Sequence, residues 1–149
     1  MSKIDDLDIK IIKELQKDAR QSYRDIAEKL KVAEGTVYNR VGKLKDAGVV
    51  KGFIADVDYG KIGYELVALI GVIVEGGKLP QIEKKLSEEP NVTAVYDVTG
   101  EYDAIVVAKF KDREGLNGLV KRVLAMDYVK RTYTMVVLNV VKETHKIEL

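Results

Sequence analysis

Thr36, Asn39 and Lys43 are spaced three and four residues apart, so a helix running through them holds a hydroxyl, a carboxamide and an ammonium on one side. Gly35 and Gly42 share that side and leave the backbone open to close approach. Asn can pair bidentately with the edge of adenine, and Lys can reach guanine or a phosphate. The chemistry on offer is hydrogen bonding to base edges in a duplex groove. Tyr38 stands beside this face, where its ring could touch a sugar or a thymine methyl. Arg40 falls on the flank of the opposite, apolar side. That position suits a phosphate clamp or an ion pair within the domain, and only secondarily a base contact. Arg24 and Lys45 are further candidates for contacts to the nucleic-acid backbone.

Three helices must position these residues. Ile4, Leu7, Ile11 and Leu15 recur at steps of three and four and predict a first helix over residues 6–18, capped by Asp5 or Asp6. Ser22 and Asp25 have capping-box spacing and start a second helix over 23–30. Lys31-Val32-Ala33 is a short turn. The third helix runs over 34–47, with Val37, Val41 and Leu44 inward and Gly48 placed to end it in a left-handed cap. Two short helices, a tight turn and a longer helix form the helix-turn-helix pattern. Residues 20–51 carry eight Lys/Arg against four Asp/Glu, although the whole chain is nearly neutral at +1. A local positive excess beside the outward face of the third helix fits a phosphate-facing surface.

Other chemistries are poorly supplied. The chain has no cysteine and one histidine, His145, so disulfides, thiolate nucleophiles, cysteine-bound zinc and most histidine-based mechanisms are excluded. Glu75-Gly76-Gly77-Lys78 lacks the spacing of a phosphate-binding loop. Glu101 and Asp103 are two residues apart around a turn, which suits a solvated hairpin better than an acid/base pair. No catalytic residue, metal site or cofactor is expected. The longest apolar run, residues 66–74, has nine residues, too few for a spanning helix of about 20. The opening Met1-Ser2-Lys3-Ile4-Asp5-Asp6 turns acidic at once and does not read as a signal peptide, so a cytoplasmic protein without membrane contact is expected.

Beyond Gly48 the pattern changes to β-branched runs alternating with two helical stretches. Residues 1–50 are read as the helical DNA-binding domain, 51–63 as a hinge, and 64–149 as a second domain. The expected order is strand 64–74, helix 79–87, strand 91–99, strand 103–110, helix 113–126 and strand 129–141. A βαββαβ order gives a four-stranded antiparallel sheet with both helices on one face, the ferredoxin-like arrangement. The fold class is therefore α+β. Such a sheet should alternate apolar and polar residues, yet the first strand is apolar on both faces, with Ala68, Ile70 and Val72 on one and Val67, Leu69 and Ile73 on the other. The face away from the helices needs a cover, and the simplest cover is the same face of a second copy related by a twofold axis.

These residues resemble the Lrp/AsnC, or feast/famine, family of prokaryotic transcription regulators, over nearly the whole chain. The resemblance is carried by the opening around Ile4-Asp5-Asp6-Leu7-Asp8, by Val32-Ala33-Glu34-Gly35-Thr36-Val37 with Arg40-Val41, by the hinge from Lys51-Gly52-Phe53, by Val98-Thr99-Gly100-Glu101-Tyr102-Asp103, and by Arg131-Thr132 with Thr134. It implies a sequence-specific binder of double-stranded DNA, built as a homodimer that assembles to an octamer, with a hinge strand between its two domains. It also implies a small effector, typically an amino acid, bound in the second domain near Gly100, Glu101, Tyr102, Asp103, Thr132 and Thr134. In such a site Asp103 could accept from the effector ammonium. Gly100 would offer its N–H at close range, and Thr132 or Thr134 would donate to the carboxylate. Where the family often has a serine cap before the third helix, this chain has Ala33.

Overall fold

The structure, a computed structural model, describes residues 4–149. Its elements are α1 (Asp6–Lys17), α2 (Tyr23–Leu30), α3 (Glu34–Asp46), β1 (Leu66–Val74), α4 (Leu79–Ser87), β2 (Val92–Asp97), β3 (Ala104–Phe110), α5 (Arg113–Leu124) and β4 (Val129–Val136). The chain divides into two compact units. One runs through Asp56 and takes in the tail Lys142–Leu149; the other is Val57–Val141.

The first unit is the expected trio of helices, and its starts are set by local chemistry. Asp5 accepts from the Asp8 N–H at 3.0 Å while Asp8 accepts from the Asp5 N–H at 3.1 Å, a complete capping box on α1. Ser22 and Asp25 form the same reciprocal pair on α2. Lys31, at φ 56°, ends α2 in the left-handed region and turns the chain toward α3. Gly48, at φ 70°, ends α3, and the Val49 N–H turns back to the Leu44 carbonyl at 2.9 Å. Ile11, Ile26, Val37 and Val41 are almost fully buried together between the helices. Each such side chain contributes about 1.5–3 kcal/mol on removal from water.

In the second unit the sheet order is β2-β3-β1-β4, all antiparallel. Ala68, Ile70, Val72 and Val74 of β1 join Ala104, Val106, Ala108 and Phe110 of β3 in one core with Ile82 and Leu86 of α4 and Leu119 and Val123 of α5. Val67, Leu69 and Ile73 of β1 lie on the other face, together with Ile105 and Val107 of β3, and are only half-buried. The two-sided apolar strand is therefore real: one side meets the helices, and on the other the described residues of this unit leave the row half-buried.

Several element ends differ from expectation. The last strand, expected to reach residue 141, stops at Val136. Its partner β1 begins at Leu66, so after Val136 pairs with Ala68 only one further bond forms, from the Val137 N–H to the Val67 carbonyl at 2.9 Å. Past that point there is no strand left to pair with. The hinge segment 51–58 likewise has no ladder partner among the described residues. The fifth helix closes at Leu124, two residues before its expected end.

Candidate functional site

α3 places Thr36, Asn39, Gly42 and Lys43 on its outer side, away from the buried Val37, Val41 and Leu44. Asn39, Lys43 and Lys45 are exposed, Gly35 is exposed, and Thr36 is half-buried. Tyr38 is 66% exposed and meets Tyr23 of α2 edge-on, with ring centroids 6.1 Å apart. Tyr23, Tyr38, Asn39, Gly42, Lys43 and Lys45 line an open groove of about 440 Å³ between α2 and α3. A Cβ built on Gly35 or Gly42 meets nothing within 4 Å, so neither glycine is demanded by packing within the chain. Arg24, on α2, is exposed and pairs with Glu28 one turn on, at 3.1 Å. The structure thus keeps Asn39, Lys43 and Lys45 on one accessible surface and sets Arg24 apart on the preceding helix.

Arg40, left open above between a phosphate clamp and an internal ion pair, makes the ion pair. Its guanidinium lies 2.6 Å from Asp5 and 2.9 Å from Asp8, across 35 and 32 residues of sequence. The Arg40 guanidinium, with the Asp8 N–H, holds the Asp5 carboxyl below the usual carboxylate range, and the two carboxylates push the Arg40 group up. Asp5 and Asp8 are the residues that sequence reasoning missed here. Asp5 was one of two expected caps of the first helix, but the share of Asp8 in that cap and a partner more than 30 residues away were not legible.

Gly100, Glu101, Tyr102 and Asp103 share the turn between β2 and β3. Gly100 takes φ 122°, a conformation open to glycine. The Asp103 N–H donates to the Val72 carbonyl at 3.0 Å, and its carboxylate accepts from the Val74 N–H at 2.7 Å. Asp103 therefore extends the β3–β1 pairing, a structural duty that the spacing did not reveal, and one carboxylate oxygen carries it. Thr132 pairs with Val72 and Thr134 with Ile70, so both lie on β4 with β1 between them and the turn. Cross-strand neighbours share a face. The two threonines accordingly lie on the side of the buried Ile70 and Val72, opposite Gly71. Larger hollows of about 580 and 650 Å³ lie along α1 and the tail, and neither is lined by the turn or by these threonines.

A three-helix unit with an exposed polar α3 face, followed by a βαββαβ unit, has the architecture of a helix-turn-helix domain joined to a ferredoxin-like domain. The family model for winged helix-turn-helix DNA-binding domains matches residues 4–51, and that for the Lrp/AsnC ligand binding domain matches residues 67–147. An uncharacterized HTH-type transcriptional regulator of Pyrococcus furiosus is 53% identical over 97% of this chain and 98% of its own length. The HTH-type transcriptional regulator FL11 of the same organism is 38% identical over 97% and 95%. Among solved structures, AsnC of Escherichia coli superposes with a TM-score of 0.86 at 29% identity, covering 95% of this chain and 97% of that one. The NMB0573/L-Met complex of Neisseria meningitidis superposes with a TM-score of 0.85 at 25% identity, covering 98% and 97%. The chain belongs to the Lrp/AsnC family: it is a DNA-binding transcriptional regulator with a ligand-binding domain, and not an enzyme. Among the described residues no helix is long and apolar enough to cross a membrane.

Proposed function

We propose that this regulator reads DNA with Thr36, Asn39 and Lys43 toward base edges, and with Gly35 allowing close approach. Tyr38 and Lys45 touch sugar and phosphate, and Arg24 reaches phosphate by giving up its exposed pair with Glu28. The observation that carries this reading is the outer face of α3, where polar and glycine residues stand exposed beside the groove rimmed by Tyr38, Lys43 and Lys45. Arg40 supports the same surface from behind, through Asp5 and Asp8.

The protein works as a homodimer closed through the uncovered sheet face, and dimers assemble to an octamer in the cytoplasm. The support is the apolar row Val67, Leu69, Ile73, Ile105 and Val107, which the described residues of its own unit leave half-buried. An antiparallel sheet face can meet its own twofold copy, since such an interface is self-complementary.

The effector is an amino acid held at the turn Gly100–Asp103. The turn offers an exposed Glu101, a backbone opened at Gly100, and the carboxylate oxygen of Asp103 that Val74 leaves over. The Neisseria neighbour, a complex with L-Met, supports this chemistry. Thr132 and Thr134, on the opposite side of β1, would enter such a site only where a second copy brings its own β4 near the turn. A thermal-shift screen with each of the twenty amino acids tests the reading. A ligand that binds only the folded chain raises its stability by RT ln(1 + [L]/Kd). A melting temperature unmoved by all twenty at millimolar concentration overturns it.

A further inference from the structure

Gly71 is the one glycine in β1 and sits in the middle of the uncovered face, between Leu69 and Ile73. Its φ is not positive, so the backbone does not require glycine there. What requires it is a side chain. A Cβ at Gly71 would fall 2.7–2.8 Å from three atoms of the Tyr102 ring, closer than real contacts allow. A glycine inside a strand often marks such a close approach. Gly71 is buried in a row whose other members are half-buried, as expected for a position roofed by an aromatic ring. The same ring meets Tyr133 of β4, the cross-strand neighbour of Gly71, with centroids 5.4 Å apart, and Arg131 stacks on Tyr133 at 5.1 Å.

The turn between β2 and β3 is therefore fastened to β1 at two levels. Asp103 bonds to the backbone of Val72 and Val74 along the strand. Tyr102, one residue earlier, packs against Gly71 on the face that a second copy would cover. The geometry points to Tyr102 as a positioning residue: docked on Gly71 and Tyr133, it holds the turn in place and makes that turn part of the subunit interface. This rests on the reading of residues 100–103 as the effector turn and of the open face as the dimer surface. If the turn shifts when a ligand is bound, the ring must shift with it, and a packed interface transmits such a change because packed cores have discrete arrangements.

The test uses the full chain and no effector. Amide hydrogen exchange of residues 98–104 is followed in the wild type and in Tyr102→Ala, Gly71→Ala and Tyr102→Phe, across dilutions whose self-association is measured by sedimentation. The wild type and Tyr102→Phe, which keeps the ring, should show the turn protected and more so when assembled. Tyr102→Ala and Gly71→Ala should exchange about tenfold faster in the turn, while α4 and α5 remain protected, and should self-associate about tenfold more weakly. Gly71→Ala must push the ring away, whereas Tyr102→Ala only removes it, so the second variant decides the matter if the first fails to fold. Turn exchange and self-association in Tyr102→Ala equal to the wild type would overturn the proposal. A wild type that stays monomeric at every concentration would instead defeat the interface reading, and faster turn exchange in monomeric Tyr102→Ala would still establish Tyr102 as the residue that positions the turn.

Discussion

Arg40, on the inner flank of α3, is clamped to Asp5, the residue that caps α1, with Nη1 2.6 Å from Oδ2. Asp5 is thus used twice, as the acceptor for the first turn of α1 and as the counter-ion for a residue of α3, the helix proposed to read DNA. Asp8 repeats the pattern from the same capping box. The start of α1 and the back of α3 are held in one geometry by a single guanidinium, so the tilt of the outer α3 face depends on Asp5 and Asp8.

This pair sets a pH dependence. Arg40 and the Asp8 N–H lower the Asp5 carboxyl below its ordinary value. A group whose folded pKa is depressed stabilises the fold above its unfolded value, near 3.9, and that stability is lost as pH falls through the folded value. The melting temperature of Arg40→Ala should lie below that of the wild type at pH 6–7. The gap should shrink as the pH falls below about 4, because the wild type has then lost the same interaction. Calorimetry across this range checks it. A gap of constant size from neutral pH to pH 2 would show that Arg40 acts through packing alone.

Asn39 and Lys45 should fail in different ways. Asn39→Ala should cost roughly 1–3 kcal/mol on the preferred sequence and little on random DNA, because a bidentate base contact is lost. Lys45→Ala should weaken all sequences alike and reduce the slope of log K against log salt by about one. Fluorescence anisotropy at several salt concentrations, on specific and random duplexes, separates the two. Equal losses on both duplexes for Asn39→Ala would remove it from the base-reading set.

Gly42 gives a prediction in which fold and function move in opposite directions. It lies inside α3, and an added Cβ would meet nothing within 4 Å. Gly42→Ala should therefore stabilise the chain by roughly 0.5–1 kcal/mol, the usual cost of glycine in a helix. The same methyl would stand on the surface proposed to approach DNA and should weaken binding. A variant that melts later and binds DNA as tightly as the wild type would show that the helix does not come close at this position.

Ala33 occupies the N-cap of α3 at φ −72° and ψ 144°, a normal capping geometry, with no side-chain bond to the helix. Ala33→Ser supplies the missing acceptor without moving the backbone and should add about 0.5–2 kcal/mol. Denaturant unfolding reads this directly as a higher midpoint at unchanged slope.

Much of this molecule was legible where the cause is local. Ser22 and Asp25 announce the start of α2 by their spacing, Gly48 announces the end of α3, and Val37, Val41 and Leu44 announce its buried side, all confirmed in place. The uncovered apolar face could be read because β1 is apolar at successive positions. What spacing could not show were relationships between distant residues. Arg40 finds its partners across more than 30 positions, and Asp103 spends a carboxylate oxygen on Val74, 29 residues away. The early end of β4 follows from where β1 begins, a fact of register that the Val137–Val141 run does not contain.

The double duty of Asp103 decides how its part in sensing must be tested. Asp103→Ala removes the charge offered to an effector ammonium and also strips the Val74 N–H of its acceptor at 2.7 Å. A donor of a buried residue such as Val74 left unpaired costs about 1–3 kcal/mol, so loss of response in that variant would confuse sensing with a damaged strand. Asp103→Asn keeps a carbonyl oxygen for Val74 and removes the negative charge. On the proposed reading it should fold with a melting temperature within a few degrees of the wild type and bind DNA normally without effector. The amino acid that stabilises the wild type in the thermal-shift screen should bind it at least about tenfold more weakly, since a charge-assisted hydrogen bond is worth roughly 1.5–3 kcal/mol. Calorimetric titration of that amino acid into both proteins gives the answer. Unchanged affinity in Asp103→Asn would confine Asp103 to its structural bond with Val74 and move the ammonium acceptor to another residue, with Glu101 on the same turn the next to be replaced.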